Sequence, residues 1–145
     1  MSLHGAYDDN NLFAKILRAE VPAVKVFEDA VALAFMDIFP QSRGHVLVIP
    51  KVAGARNLLE LPAPKIGPYM ERVQLVAKGV AKALTPDGIV VTQFNGAPAG
   101  QTIFHLHFHI IPRYDGVKLA GHGHQNKADI AELQKLAAEI ASAME

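Results

Sequence analysis

Residues Gln101 to Arg113 read QTIFHLHFHIIPR, with histidine at 105, 107 and 109 and an apolar residue in every gap. This strict alternation constrains the chain more than any other feature, because successive side chains of a strand point to opposite faces. An extended segment puts the three imidazoles on one side and Phe104, Leu106, Phe108 and Ile110 on the other, where they can enter a core. A helix would scatter the rings around its circumference, and Ile103, Phe104, Ile110 and Ile111 favour extended backbone. The segment is read as one strand with an apolar face and an imidazole face.

The other elements follow from their own patterns. Asn10 or Asn11 caps a short helix, LFAKILRAE, that Pro22 ends. VKVFED and VALAFMDI are two strands joined at Glu28–Asp29, and HVLVIP is a third strand closed by Pro50. From about Ala63 to Leu84, apolar residues at Ile66, Tyr69, Met70, Val73, Val76, Ala77 and Val80 recur at helical spacing. TPDG breaks that helix, IVVTQF is a fourth strand, and NGAPAG leads into the histidines. A tail over about 126–144, capped by Asn126 with Asp129, aligns Ile130, Leu133, Ala137, Ile140 and Met144 on one helix face. Residues 1–145 are expected to form a single α+β domain around a largely antiparallel sheet.

Bulk properties narrow the function classes. Half of the 145 residues are hydrophobic, which indicates a globular domain. Fourteen basic residues balance fourteen acidic ones without a basic run, so neither a DNA or RNA polymer nor a membrane surface is an expected partner. The chain has no cysteine, hence no disulfide and no thiolate zinc site. MSLHGAYDDNN lacks the basic and apolar regions of a signal peptide, and the longest apolar run, Ala30 to Met36, is too short for a bilayer. A cytoplasmic protein is expected.

Two chemistries suit a row of imidazoles. Histidine is the commonest metal ligand, and His45, His122 and His124 could add donors to the strand. Same-face neighbours lie roughly 7 Å apart, though, and three in a row on a flat strand converge poorly on one ion. The alternative is phosphate chemistry. In NGAPAGQT, Gly96 and Gly100 let backbone N–H groups approach an anion, with Gln101 and Thr102 as further donors. Neutral imidazole can attack phosphorus, and imidazolium can protonate a leaving group. Asp37, which closes an apolar strand, is either a turn-starting residue before Pro40 or a carboxylate for a ribose diol.

HLHFHII resembles the His-φ-His-φ-His-φ-φ signature of the histidine triad (HIT) nucleotide hydrolases and transferases. LFAKILRAEVPAVKVFEDAVALAFMDIFPQSRGHVLVIPK is similar to that family's N-terminal half, and NGAPAGQTIFHLHFHIIPR to its active-site half. The likeness covers roughly residues 11 to 113. It implies a HIT-like fold, a five-stranded mainly antiparallel sheet with packed helices, commonly paired as a homodimer across a two-fold axis.

The resemblance also implies roles. His107 would be the nucleophile, nucleotidylated on its outer ring nitrogen, while its other nitrogen donates to a carbonyl near His105. His109 and Thr102 would contact the phosphate and Gln101 the leaving side. Asn95 and Gly100 correspond to phosphate- and nucleoside-contacting positions, Asp37 to the ribose-binding acid, and His45 to a further active-site histidine. Leu12, Phe13, Ile16, Phe35, Ile38 and Leu47 correspond to the nucleoside pocket. No metal or cofactor is required on this reading, although a polyphosphate substrate could carry Mg²⁺. AGQT and IPR are similar to the dinucleoside-polyphosphate hydrolase branch, and Asp37, Asn95 and the N-terminal half to the nucleoside-phosphoramidase branch, whose C-terminal tryptophan is missing here. The substrate is thus AMP-phosphoramidate or a dinucleoside polyphosphate. A metal-binding protein, or a nucleotide-binding regulatory module with little activity, are the other classes.

Overall fold

The computed structural model describes residues 2–51, 54–119 and 127–145; His122, His124 and Asn126 lie outside them. Helix α1 is Leu12–Leu17, with Asn11 Oδ1 accepting from the Ala14 N–H at 2.9 Å. It is shorter than expected, and Pro22 does not end it. Ala19 takes the left-handed conformation (φ 61°), and the Ala19 and Glu20 N–H groups donate back to the Ile16 and Lys15 carbonyls. Those two bonds satisfy the last turn and stop the helix before the proline is reached.

Strands β1 (Lys25–Glu28), β2 (Ala32–Met36), β3 (Val46–Pro50), β4 (Gly88–Thr92) and β5 (Phe108–Arg113) form one sheet in the order β1-β2-β3-β5-β4. Every neighbouring pair is antiparallel. Asp29 makes the first hairpin by accepting from the Val31 and Ala32 N–H groups at 2.9 and 3.0 Å. Helix α2 (Ala63–Leu84) starts ahead of Pro64 and Pro68, which its first turns tolerate better than its interior would. Helix α3 (Ile130–Ala143) packs beside it.

The sheet is apolar on both faces, and the two sets of residues alternate along β2 and β3. Ala32, Ala34, Met36, Val46 and Val48 join Ile110 and the buried stripe of α2 (Tyr69, Val73, Val76, Val80) and of α3 (Leu133, Leu136, Ile140) in the main core. Leu33, Phe35, Leu47 and Ile49 face the other way, against Phe13 and Ile16 of α1. Two helices cover the first face; the second is covered by one six-residue helix, and there the sheet keeps an open cleft. The α2 stripe is thus spent inside the fold.

Candidate functional site

The histidines do not all lie on a strand. Of the three, only His109 is in β5, opposite Leu47 of β3 and Thr92 of β4. His105 and His107 precede it in chain without a ladder. The reason lies in the ring of His105, whose Nε2 faces the Pro50 carbonyl at 3.3 Å. An imidazole there takes up an acceptor of β3, and Leu106 bonds instead to the Ala55 carbonyl at 3.0 Å. The two-sidedness survives: Leu106 and Ile110 are in the main core with Phe108 against it. Phe104 is the exception, only half-buried beneath the Arg56 guanidinium, so it does not join that core.

Each imidazole has a tautomer set by its neighbours. His105 is 1% exposed, and burial, the largest influence, pulls its pKa down to about 4. Its Nε2–H donates to Pro50, and its Nδ1 accepts from the Tyr7 hydroxyl at 2.6 Å. His107 Nδ1 donates to the His105 carbonyl at 2.7 Å, which puts the proton on Nδ1 and the lone pair on Nε2. The Phe13 ring meets His107 edge-on, with centroids 4.9 Å apart. His45 accepts at Nδ1 from the Gln41 N–H and therefore carries its proton on Nε2, 3.0 Å from His109 Nδ1. That bond in turn makes His109 a donor at its own Nε2.

His107 and His109 line a cleft of about 260 Å³. Leu12, Phe13, Ile16, Phe35, Ile38 and Leu47 form its apolar walls, and Asp37 and Thr102 are on its rim. Val21, Pro22, Ala23, Met36, Phe39 and Ile103 complete it; the loop residues among them carry no periodic signal in the sequence. A hollow of about 460 Å³ lies elsewhere, around Asp87, Arg113 and Tyr114, and contains none of the imidazoles.

Five expected residues do not line the cleft. His105 and His45 stand behind His107 and His109 and act on them. Gln101 is 3% exposed and holds the glycine loop together: its Oε1 accepts from the Gly96 N–H at 2.8 Å, and its Nε2 donates to the Arg56 and Ile103 carbonyls. Asn95 Oδ1 likewise accepts from the Leu58 N–H and from Gln93. A buried amide satisfies its own polar atoms first, which explains why Gln101 serves the loop. Gly100 (φ 113°) permits the turn and packs against Phe94. Asp37 divides its oxygens: Oδ1 accepts from the Phe39 N–H at 2.8 Å, as a turn-starting residue does, and Oδ2 lies 3.6 Å from His45 Nε2.

The arrangement offers an apolar slot for a flat ring, a lone pair on His107 Nε2 and a hydrogen-bond donor on His109. Among the described residues, one group has the donor set of a transition-metal site: Asp37, His45 and His109, with one ligand atom each and all within 4.8 Å of one another. In this structure the two imidazoles of that group hydrogen-bond to each other.

Comparison with known proteins converges on one family. The HIT domain model matches residues 18–116. The chain is 36% identical over 136 residues to protein hit of Bacillus subtilis, covering 92% of this chain and 93% of that one. It is 43% identical over 102 residues to adenosine 5'-monophosphoramidase hnt1 of Schizosaccharomyces pombe, covering 70% and 73%. A crystal structure of a Hit-like protein from Bartonella henselae, described as involved in cell-cycle regulation and with an unknown ligand, superposes with a TM-score of 0.89 at 47% identity, over 96% and 99% of the chains.

Proposed function

This chain belongs to the HIT domain family, and we propose that it is a nucleotide hydrolase that cleaves a nucleoside phosphate derivative at the α-phosphate through a nucleotidylated His107. One observation carries the reading: the His107 Nδ1–H bond to the His105 carbonyl at 2.7 Å, in a ring lining the apolar cleft. The bond makes Nε2 the nucleophilic atom and holds the ring against rotation, so little entropy is lost at the moment of attack.

In the first step His107 Nε2 forms a bond to the α-phosphorus, and the bond to the leaving group breaks with its electron pair leaving on that group. His109 Nε2–H and the Thr102 hydroxyl donate to the phosphoryl oxygens, where charge develops. The base lies between Phe13, Ile16, Phe35 and Leu47, and Asp37 Oδ2 accepts from the ribose. Water then displaces the histidine and releases a nucleoside monophosphate, AMP in the favoured case. AMP-phosphoramidate and dinucleoside polyphosphates are the two substrate classes, and the fission-yeast relative is named for the first. His107 and His109 act without a metal in this scheme, although a polyphosphate substrate brings its own Mg²⁺. The reading is of a cytoplasmic homodimer without a nucleic-acid partner; among the described residues no helix is long and apolar enough to cross a membrane.

The test is an alkaline quench after mixing with substrate, since a phosphorus–nitrogen bond to histidine is acid-labile but survives base. Mass spectrometry is expected to find one nucleotidyl adduct, on His107, and His107→Ala to lose both adduct and turnover, by about 10⁴-fold or more. An adduct on His109 or His45, or an active His107→Ala, would refute the assignment. The same burst is run after exhaustive EDTA dialysis with AMP-phosphoramidate. Stoichiometric zinc, with the burst lost on chelation, would favour the metal centre at Asp37, His45 and His109 instead.

A further inference from the structure

Arg56 takes no part in the chemistry above. Its backbone serves the glycine loop, with the carbonyl accepting from Gln101 at 2.7 Å and the N–H donating to Glu60 at 2.9 Å. The side chain makes no comparable bond among the described residues. The residue is 8% exposed, its guanidinium carbon lies 5.1 Å from the Phe104 ring centroid, and Nη1 is buried without a hydrogen-bond partner among the described residues. It belongs to none of the ion pairs among the described residues. A largely buried cation is ordinarily paired, because loss of its hydration is costly. The face of Phe104 offsets only part of that cost.

The surroundings indicate where the missing charge belongs. Arg56 and Phe104 line a hollow of about 260 Å³ together with Ala6, Asp8 and Asn11. Leu12, Thr102 and Ile103 line both this hollow and the His107 cleft, so the two adjoin across those residues. Asp8 is the other charged side chain of the hollow, but it is exposed to solvent, and its Oδ1 already accepts from the Asn10 N–H at 2.8 Å. Water screens an exposed carboxylate far more than a buried guanidinium, so Asp8 offsets little of the Arg56 charge.

We propose that Arg56 is the anion-binding group of a second subsite, which receives the phosphate chain on the leaving side of the scissile bond. This rests on the reading of the His107 cleft as the α-phosphate site. When His107 Nε2 bonds to the α-phosphorus and the P–O bond to the next phosphate breaks, the departing oxygen takes the electron pair and a full negative charge. Arg56 offsets that charge. An amine leaving from a phosphoramidate takes a proton from water as the P–N bond breaks, departs neutral and gains nothing from Arg56. The subsite therefore favours an anionic leaving group, as in a dinucleoside polyphosphate.

The experiment compares kcat/KM on diadenosine tetraphosphate and on AMP-phosphoramidate for the wild type, Arg56→Gln and Arg56→Lys. Arg56→Gln is expected to lose at least ten times more on the tetraphosphate than on the phosphoramidate, with Arg56→Lys between. Equal losses on the two substrates mean a structural role and overturn the proposal. Inorganic tripolyphosphate in EDTA is expected to raise the Tm of the wild type, and to raise it less in Arg56→Gln. A wild type whose Tm does not move overturns the subsite even if the glutamine variant fails to fold. Should the wild type turn over neither substrate, the hydrolase reading fails, and the tripolyphosphate measurement still decides the subsite.

Discussion

His105 serves the site through its carbonyl and its burial rather than through a titrating ring. Both ring nitrogens are engaged in the neutral form, one by Tyr7 and one by Pro50, and burial holds the pKa to about 4 against an ordinary 6.5. Below pH 6.5 the unfolded chain takes up a proton that the folded chain refuses until about pH 4. The stabilisation is complete above pH 6.5 and is lost as the pH falls through that window, about 3 kcal/mol in all. Urea unfolding at pH 7.0 and pH 4.5 checks this: His105→Gln should lose about 2–3 kcal/mol less than the wild type between the two pH values. Equal losses would show that the ring does not control the acid limb. Tyr7 could not have been found from the sequence. The hydroxyl comes from 98 residues away, and no local pattern marks a tyrosine in a polar N-terminal stretch as the cap of an imidazole.

At the level of elements, periodicity was legible and termination was not. The α2 boundaries follow from apolar spacing, because a helix packed on a sheet displays its buried face in its composition. Leu12, Phe13, Phe35 and Leu47 were named as a pocket through the family resemblance alone, and all four line the cleft on the less covered face of the sheet. The end of α1 at Leu17, ahead of the left-handed Ala19, and the failure of the ladder at His105 and His107 were hidden, since each depends on bonds formed only in three dimensions. Gln101 and Asn95 were expected at the substrate, and the hydrogen bonds that they make to the Gly96 and Leu58 N–H groups were hidden for the same reason. Gly44 shows how much one junction carries. Its φ is 91°, and a Cβ there would run into Leu84 Cδ1 and lie 3.2 Å from Pro112 Cγ. Gly44→Ala should cost about 2–4 kcal/mol, combining left-handed strain with overpacking. A lower urea midpoint with an unchanged m-value is the expected result, and a midpoint within experimental error of the wild type would contradict it.

For the whole molecule, the strand order leaves β4 at an edge with one side of its backbone unpaired. A half-buried strand normally hides alternate residues, yet Val90 and Val91 are 38% and 46% exposed, so neither face of β4 is well covered. Open apolar edges are usually blunted by charge or by a cover, and this one has neither within the described residues. The apolar stripe of α2, the other candidate for an interface, is consumed by the main core. A second copy approaching antiparallel about a two-fold axis would pair β4 with its own image, the same patch meeting itself as closed symmetry requires. Sedimentation equilibrium is expected to give the dimer mass at micromolar concentration. Val91→Lys places a charge on that edge and should shift the mass to the monomer while the far-ultraviolet circular dichroism stays as in the wild type. A wild type that sediments as a monomer at every concentration refutes the dimer. A Val91→Lys variant that remains dimeric moves the interface away from β4, leaving the exposed faces of α2 at Ile66 and Leu75 as the next surface to substitute.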